Sequence, residues 1–237
     1  MNKVQSPTDI SVLDRAAAKV KRHVLPLFVI MFIVNYIDRV NIGFVRSHLE
    51  TDLGIGAAAY GLGAGLFFVG YAIFEVPSNM LLQRYGARAW LTRIMFTWGA
   101  AAMAMAFVQG ETSFYVLRFI LGAAEAGFFP GIIYYFTQWL PGADRGKAMA
   151  IFLSGSAIAS VISGPVSGAL LNVSGLGMHG WQWMFLIEGF ASVVLCGFVW
   201  FWLQSHPSEA KWLSAEEKDA LIGAIAEEQR AREATQT

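Results

Sequence analysis

Long apolar stretches alternate with short polar connections along most of the chain. Each stretch has at least about 20 residues, enough for a helix rising about 1.5 Å per residue to cross a hydrocarbon core of about 30 Å. A helix also satisfies its own backbone polar groups, which an isolated strand in lipid does not. The pattern therefore predicts six transmembrane helices, at Val24–Phe44, Ala57–Leu82, Ala89–Val108, Ser113–Leu140, Ala148–Leu171 and Trp183–Leu203.

The polar connections predict how the chain is divided and oriented. Residues 1–23 are expected to form a basic tail, 24–203 the six-helix bundle and 204–237 a cytoplasmic segment. In that last segment, Ser214 and Glu217 have the spacing of a capping box, and composition favours a solvated amphipathic helix. Lys and Arg concentrate in the tail and in every second connection. The positive-inside rule thus predicts a multi-pass protein of the cell (inner) membrane with both termini in the cytoplasm.

Composition agrees with a membrane protein and excludes other classes. Of the 237 residues, 56% are apolar or aromatic and 14% are charged, whereas about 25% are charged in an average soluble domain. The 17 basic and 17 acidic side chains cancel, so net charge does not favour nucleic acid. Serine-hydrolase, zinc-protease and phosphate-loop motifs do not occur, and Cys196 is the only cysteine. We therefore expect neither an enzyme nor a metal or cofactor site.

Small residues and prolines predict how the helices pack. Helices in lipid associate through close van der Waals contact, which glycines spaced four residues apart allow. Pro130 and Pro165 are expected to kink their helices. The glycine pairs with this spacing are Gly61–Gly65, Gly127–Gly131 and Gly164–Gly168.

Ionisable residues inside the apolar stretches are the strongest functional signal. A charge at the bilayer centre costs about 2.5–3.5 kcal/mol on insertion scales, so it persists where it is paired, hydrated or functional. Asp38 and Arg39 lie in the first stretch, and Arg118 and Glu125 share one helix face in the fourth. The opposite directions of these helices place both arginines at similar depths. Two hypotheses stay open: an anion site with a proton-carrying carboxylate, or a purely structural cluster of charges.

Other polar residues in the stretches are weaker candidates. Each of them taken alone is more often an interhelical hydrogen-bonding group than a ligand. Glu75 and Glu188 are interpreted as structural. The candidates for a cavity lining include Asn41, Tyr71 and Ser156.

Five runs of residues resemble the anion:cation symporter family of the major facilitator superfamily. They are YIDRVNIG from Tyr36, FEVPSN from Phe74, GAR from Gly86, LRFILGAAEAGFFPG from Leu117 and GWQWMFLIEG from Gly180. The resemblance covers roughly residues 24–215. It implies an all-α membrane fold, namely the N-terminal six-helix half (a 3+3 inverted repeat) of the superfamily fold. It also implies alternating-access, proton-coupled uptake of a small organic anion, such as a sugar acid, tartrate, phthalate or hydroxyphenylacetate.

The resemblance also implies roles for single residues. Asp38 and Glu125 match the family's proton-coupling carboxylates. Arg39 and Arg118 match its arginines, one tied to coupling and one to the substrate carboxylate, which shifts our interpretation of the charged cluster toward function. Ser156 stands where some sugar-acid members carry a larger amide, so a sugar acid is not implied. The substrate-binding candidates are Arg39, Arg118, Tyr71, Asn41 and Ser156.

The connection between the second and third stretches resembles the superfamily's cytoplasmic gating loop. Its usual pattern is G-x-L-a-D-r-x-G-r-r. Here Asn79 replaces the first glycine and Gln83 replaces the aspartate, while Arg84, Gly86 and Arg88 match. The lost carboxylate removes support for a charge relay through Gln83.

The length leaves two hypotheses for the activity. Family members have two six-helix halves, and the chain resembles the first. It is therefore expected to be half of a proton-coupled transporter. Its partners would be a small organic acid, a proton, membrane lipid and either a C-terminal half or a second copy, but no nucleic acid. The alternative is a non-transporting six-span remnant or an interaction or sensor protein. The residues determine neither the anion nor the choice between proton and sodium.

Overall fold

The structure is a computed structural model that describes residues 7–236, and this part of the chain is all-helical without an assigned strand. The predicted all-α class is confirmed. Short 3-10 turns occur at Met105–Phe107 and Pro207–Glu209. The helices are α1 Pro7–Phe44, α2 Arg46–Leu53, α3 Ala57–Tyr85, α4 Ala87–Ala104, α5 Glu111–Glu125, α6 Phe128–Trp139, α7 Gly142–Leu171, α8 Gly180–Trp202 and α9 Ala215–Gln236.

Five segments of the described chain are long and apolar enough to cross a membrane. They are Val12–Phe44, Ala57–Tyr85, Glu111–Trp139, Gly142–Leu171 and Gly180–Trp202. The remaining predicted span coincides with α4, which has 18 residues and is made less apolar by Arg88 and Arg93. Helix α1 begins at Pro7, so much of the segment predicted as a tail continues the first span as a helix.

The bundle is built from three closely packed helix pairs, α4 with α8, α3 with α5 and α1 with α7. Backbones approach most closely where one helix presents a glycine. A Cβ atom on Gly122 of α5 would lie 1.9 Å from the carbonyl oxygen of Phe67 on α3. Gly99 of α4 and Gly189 of α8 face each other in the same way, with Cβ positions 2.8 and 2.7 Å from the partner's carbonyl oxygen. Close van der Waals packing thus holds these pairs together.

Two of the three predicted glycine pairs do not make such contacts. A Cβ atom on Gly61, Gly65, Gly164 or Gly168 would meet nothing within 4 Å. The spacing is compatible with close packing, but it does not determine which face of α3 or α7 another helix covers. A Cβ atom on Gly127 or Gly131, the remaining pair, would meet neighbouring helices, namely Ser78 and Leu82 of α3 and Leu91 of α4.

The fourth predicted span is broken into α5 and α6. Ala126 leaves helical geometry with a ψ of 133°, and Gly127 has a φ of +89°, which glycine adopts without strain. Pro130 explains the position, because its ring lacks an N–H and clashes with the carbonyl four residues earlier, that of Ala126. The Ser78 hydroxyl donates to this freed carbonyl at 2.7 Å. The predicted kink is thus a break before the proline, whereas Pro165 lies within an uninterrupted α7.

Helix α9 packs against the bundle, which corrects the expectation of a solvated linker. The Lys19 ammonium lies 2.7 Å from the Glu217 carboxylate, and Arg145 pairs with Glu228 at 2.9 Å. Ser214 and Glu217 form the predicted capping box, with hydrogen bonds of 3.2 and 2.9 Å. The Lys19 ammonium and the backbone N–H of Ser214 hold the pKa of Glu217 below its usual range.

Candidate functional site

The break in the fourth span places Glu125 at the last turn of α5, inside the bundle. Its side chain is 1% exposed. The Asn35 amide of α1 donates to Glu125 Oε1 at 2.8 Å, and the Arg39 guanidinium makes an ion pair with the same oxygen. A buried carboxylate is expensive unless it is paired and hydrogen-bonded, and both conditions hold here. Side chains of α1 and α5 are therefore joined here by a neutralised charge pair.

Aromatic rings connect the two arginines. The Arg118 guanidinium carbon lies 4.7 Å from the centroid of the Phe67 ring, and that of Arg39 lies 5.5 Å from the same ring. Arg39 also packs over Tyr71 at 5.3 Å. Such cation–π contacts stabilise guanidinium groups that are shielded from water. The structure thus brings three members of the predicted charged cluster, Arg39, Arg118 and Glu125, together with Tyr71.

Arg118 differs from Arg39 in having no carboxylate partner. Its residue is 3% exposed, and its Nε donates to the carbonyl oxygen of Gly63 at 3.4 Å. No carboxylate of the described residues lies within ion-pair distance of it. The side chain of Arg39, in contrast, is paired and 35% exposed. A buried guanidinium without an ion-pair partner has donors in a planar arrangement that matches a carboxylate.

Asp38 contacts different helices from these groups, namely α4 and α8. Successive helical residues point about 100° apart, so Asp38 and Arg39 face different neighbours. The Trp98 indole of α4 donates to Asp38 Oδ2 at 2.7 Å, and the Ser192 hydroxyl of α8 donates to it at 2.8 Å. Among the described residues, neither arginine makes an ion pair with Asp38. The predicted cluster of four charges therefore divides into two sites.

Asn41 belongs to the Asp38 side. Its amide donates to Glu188 Oε2 of α8 at 2.8 Å, and the Ser167 hydroxyl of α7 donates to Glu188 Oε1 at 3.2 Å. Sequence reasoning assigned Glu188 a structural role and did not single out Trp98 or Ser167. The sequence does contain a signal that Asp38 and Asn41 belong together, because residues three apart lie on one face of a helix.

Ser156 does not join either group. Its hydroxyl donates to the carbonyl oxygen of Leu153, within its own helix α7, at 2.8 Å. Tyr71, in contrast, contacts Arg39 directly. The substrate-binding candidates thus lie in three different places in the structure.

The gating loop is a tight connection between α3 and α4. Gly86 has a φ of +85°, and a Cβ atom there would lie 2.8 Å from the hydroxyl of Ser205, beyond the end of α8. That hydroxyl accepts a hydrogen bond from the backbone N–H of Arg88 at 3.3 Å. The loop therefore packs against the segment that leads to α9. The other gating candidates, Asn79 and Arg84, lie in the last turns of α3.

Comparison with known proteins agrees with this architecture. A family profile described as Major Facilitator Superfamily matches residues 28–233. A putative tartrate transporter of Agrobacterium vitis is 48% identical over 219 residues, which are 92% of this chain and 51% of the relative. A quinolone resistance transporter of Acinetobacter baumannii is 53% identical over 198 residues, or 83% and 46% of the two chains.

A solved structure shares the fold at low identity. It is a bacterial homologue of the human lysosomal transporter Spinster, in an inward-facing, unoccupied conformation. The TM-score is 0.71 and the identity 18%, over 95% of this chain and 50% of that one. The chain spans about half the length of the curated relatives it matches.

Proposed function

The chain belongs to the Major Facilitator Superfamily, whose members are membrane transporters and not enzymes, and we propose that it forms the N-terminal half of a proton-coupled organic-anion transporter. The proposed activity is uptake of a small carboxylate by alternating access. The observation that carries the proposal is Arg118, a buried guanidinium without an ion-pair partner beside the Arg39–Glu125 pair. The membrane is proposed to be the cell (inner) membrane, with both termini in the cytoplasm.

Charge balance supports a carboxylate as the substrate. A buried cation without a partner is costly, and an incoming anion would remove that cost. The donors of Arg118 suit bidentate binding of a carboxylate, and the Phe67 ring between the two arginines holds it in place. Arg39, which is more exposed, adds a second positive group. A relative with the name of a putative tartrate transporter agrees with this substrate class.

Glu125 and Asp38 are the proposed proton carriers. Protonation of Glu125 would break its ion pair with Arg39, which would free this guanidinium for the substrate and change the contact between α1 and α5. Proton and anion binding would then be coupled through one side chain. Lone carboxylates favour a proton over sodium, because sodium sites usually add backbone and hydroxyl oxygens.

A second six-helix half is the proposed partner. The uncovered glycines of α3 and α7, Gly61, Gly65, Gly164 and Gly168, are surfaces on which another bundle could pack closely. The gating residues Asn79, Arg84, Gly86 and Arg88 would then close the cytoplasmic side. The alternative, a non-transporting unit, predicts no saturable proton-dependent flux from reconstituted chains, with or without that half.

The test replaces Arg118 with Ala in the complete two-half protein. Labelled-anion uptake is measured under an inward proton gradient with a panel that includes tartrate, sugar acids and a quinolone. Removing one partner of a buried charge pair typically costs about 2–5 kcal/mol, so affinity should fall roughly 30-fold or more. Arg46→Ala, which removes an exposed cation at the start of α2, is the matched control. Uptake by Arg118→Ala equal to that of the control would refute the substrate role.

A further inference from the structure

Two buried carboxylates, Asp38 of α1 and Glu188 of α8, lie where these helices are joined by hydrogen bonds, and in the described part of the chain neither has a cation as an ion-pair partner. Asp38 is 3% exposed and Glu188 is 5% exposed. The side chains that donate hydrogen bonds to them, Trp98, Ser192, Asn41 and Ser167, are all neutral. Among the described residues, no Lys, Arg or His makes an ion pair with either carboxylate. The two negative charges thus lie close to each other in an apolar interior.

Two side-chain hydrogen bonds connect α1 and α8 at neighbouring positions. Asp38 and Asn41 are three residues apart on α1, and Glu188 and Ser192 are four residues apart on α8. Asp38 accepts from Ser192, while Glu188 accepts from Asn41, so each helix supplies one carboxylate and one donor. This arrangement fixes both carboxylates relative to each other. Asp38 has one other charged neighbour, Glu125 of α5.

One oxygen of the pair has no partner. Asp38 Oδ2 accepts both hydrogen bonds, whereas Asp38 Oδ1 is buried and makes none. Two ionised carboxylates without a cation in such a place are costly, and protonation of either one removes one of the two charges. The pair therefore has both the charge and the free oxygen that a bound proton requires.

We propose that Glu188 is a further coupling carboxylate, which together with Asp38 holds one proton inside the bundle, apart from the Arg39–Glu125 pair. This proposal rests on the proposed transport function and adds a residue to it. Arg39 is the residue after Asp38 on α1. The charge of the buried pair therefore acts on the helix that carries Arg39, and release of the proton would alter the contacts of α1 with α4 and α8.

The first experiment separates proton coupling from substrate movement. The complete two-half protein is reconstituted, and gradient-driven accumulation is compared with exchange in the absence of a gradient. Each coupled proton supports about a tenfold accumulation of substrate per unit of pH difference. Accumulation by Glu188→Gln should therefore fall about tenfold per pH unit, while its exchange rate stays within about threefold of the wild-type rate. Glu188→Asp should keep accumulation with a shifted pH profile. Glu111→Gln, a carboxylate at the exposed start of α5, is the matched control.

Three results of this experiment would overturn the proposal. One is accumulation by Glu188→Gln at the wild-type level with an unchanged pH profile. Another is loss of exchange together with accumulation in both Glu188 variants, which would assign the residue a structural role. The third is accumulation that follows a sodium gradient and ignores the proton gradient.

The second experiment detects the proton without transport. Infrared spectra of the purified full-length protein at neutral pH should contain the carbonyl stretch of a protonated carboxylic acid. This band should disappear in Glu188→Gln and should shift in Asp38→Asn. It should remain unchanged in Glu125→Gln. Absence of the band in the wild type, or its persistence unchanged in both variants of the pair, overturns the proposal. A band in a protein that moves no anion would instead refute the transport function and leave the proton site standing.

Discussion

Gly122 of α5 is the position at which a single methyl group should disturb both the packing and the site. A Cβ atom there would lie 1.9 Å from the carbonyl oxygen of Phe67, whereas ordinary van der Waals contact begins at 3.4 Å. The obstacle is backbone and cannot rotate away. In Gly122→Ala, helices α3 and α5 must therefore separate by about 1.5 Å, the difference between these two distances, unless α3 deforms locally.

Gly122→Ala should reduce both the stability of the protein and its transport rate, and each loss can be estimated. Overpacking of a filled interior costs about 1–3 kcal/mol, and a forced backbone shift favours the upper part of this range. Phe67 also carries the ring that contacts both guanidiniums, at 4.7 Å from Arg118 and 5.5 Å from Arg39. Displacement of a positioning group by about 1 Å can reduce a rate by about 10²-fold. Gly122→Ala should thus lose transport activity as well as stability.

The assay compares Gly122→Ala with Gly197→Ala in the purified two-half protein. A Cβ atom on Gly197 of α8 would meet nothing within 4 Å, so this control adds the same methyl group to a membrane helix without a clash. Melting temperature in detergent reports the packing cost, and anion uptake reports the displacement of Phe67. Equal melting temperatures and equal uptake for the two variants would refute the reasoning from the close contact.

Two other predictions concern polar contacts. Ser78→Ala leaves the buried carbonyl of Ala126 unpaired at the break between α5 and α6, and it should lower the free energy of unfolding by about 1–3 kcal/mol, measured as a lower melting temperature. Because Lys19 and Ser214 hold the pKa of Glu217 below its usual range, the stabilisation from this carboxylate is present at neutral pH and lost as the pH falls through the lowered pKa. Wild type and Glu217→Gln should therefore differ in melting temperature at neutral pH and converge as the pH falls through the lowered pKa, and a difference that does not change with pH would contradict this.

The sequence was sufficient for features that depend on neighbouring residues along the chain. Apolar stretches of membrane-spanning length, the capping box at Ser214 and the position of Pro130 all follow from local hydropathy and local backbone chemistry. The isolated charges Arg39, Arg118 and Glu125 were recognisable for the same reason, since each interrupts an apolar stretch. The superfamily follows from ordered motifs, and the family profile confirms it.

Only the tertiary structure decided which groups meet. It gave Asp38 and Arg39 different partners, joined Asp38 to Ser192 of α8, and left Arg118 without an ion-pair partner among the described residues. It also selected Gly122 over Gly61 as a helix contact and placed α9 against the bundle. The physical reason is that adjacent helical residues point about 100° apart, so their partners depend on how each helix is rotated and where it crosses its neighbours. Residue spacing along one helix does not contain that information.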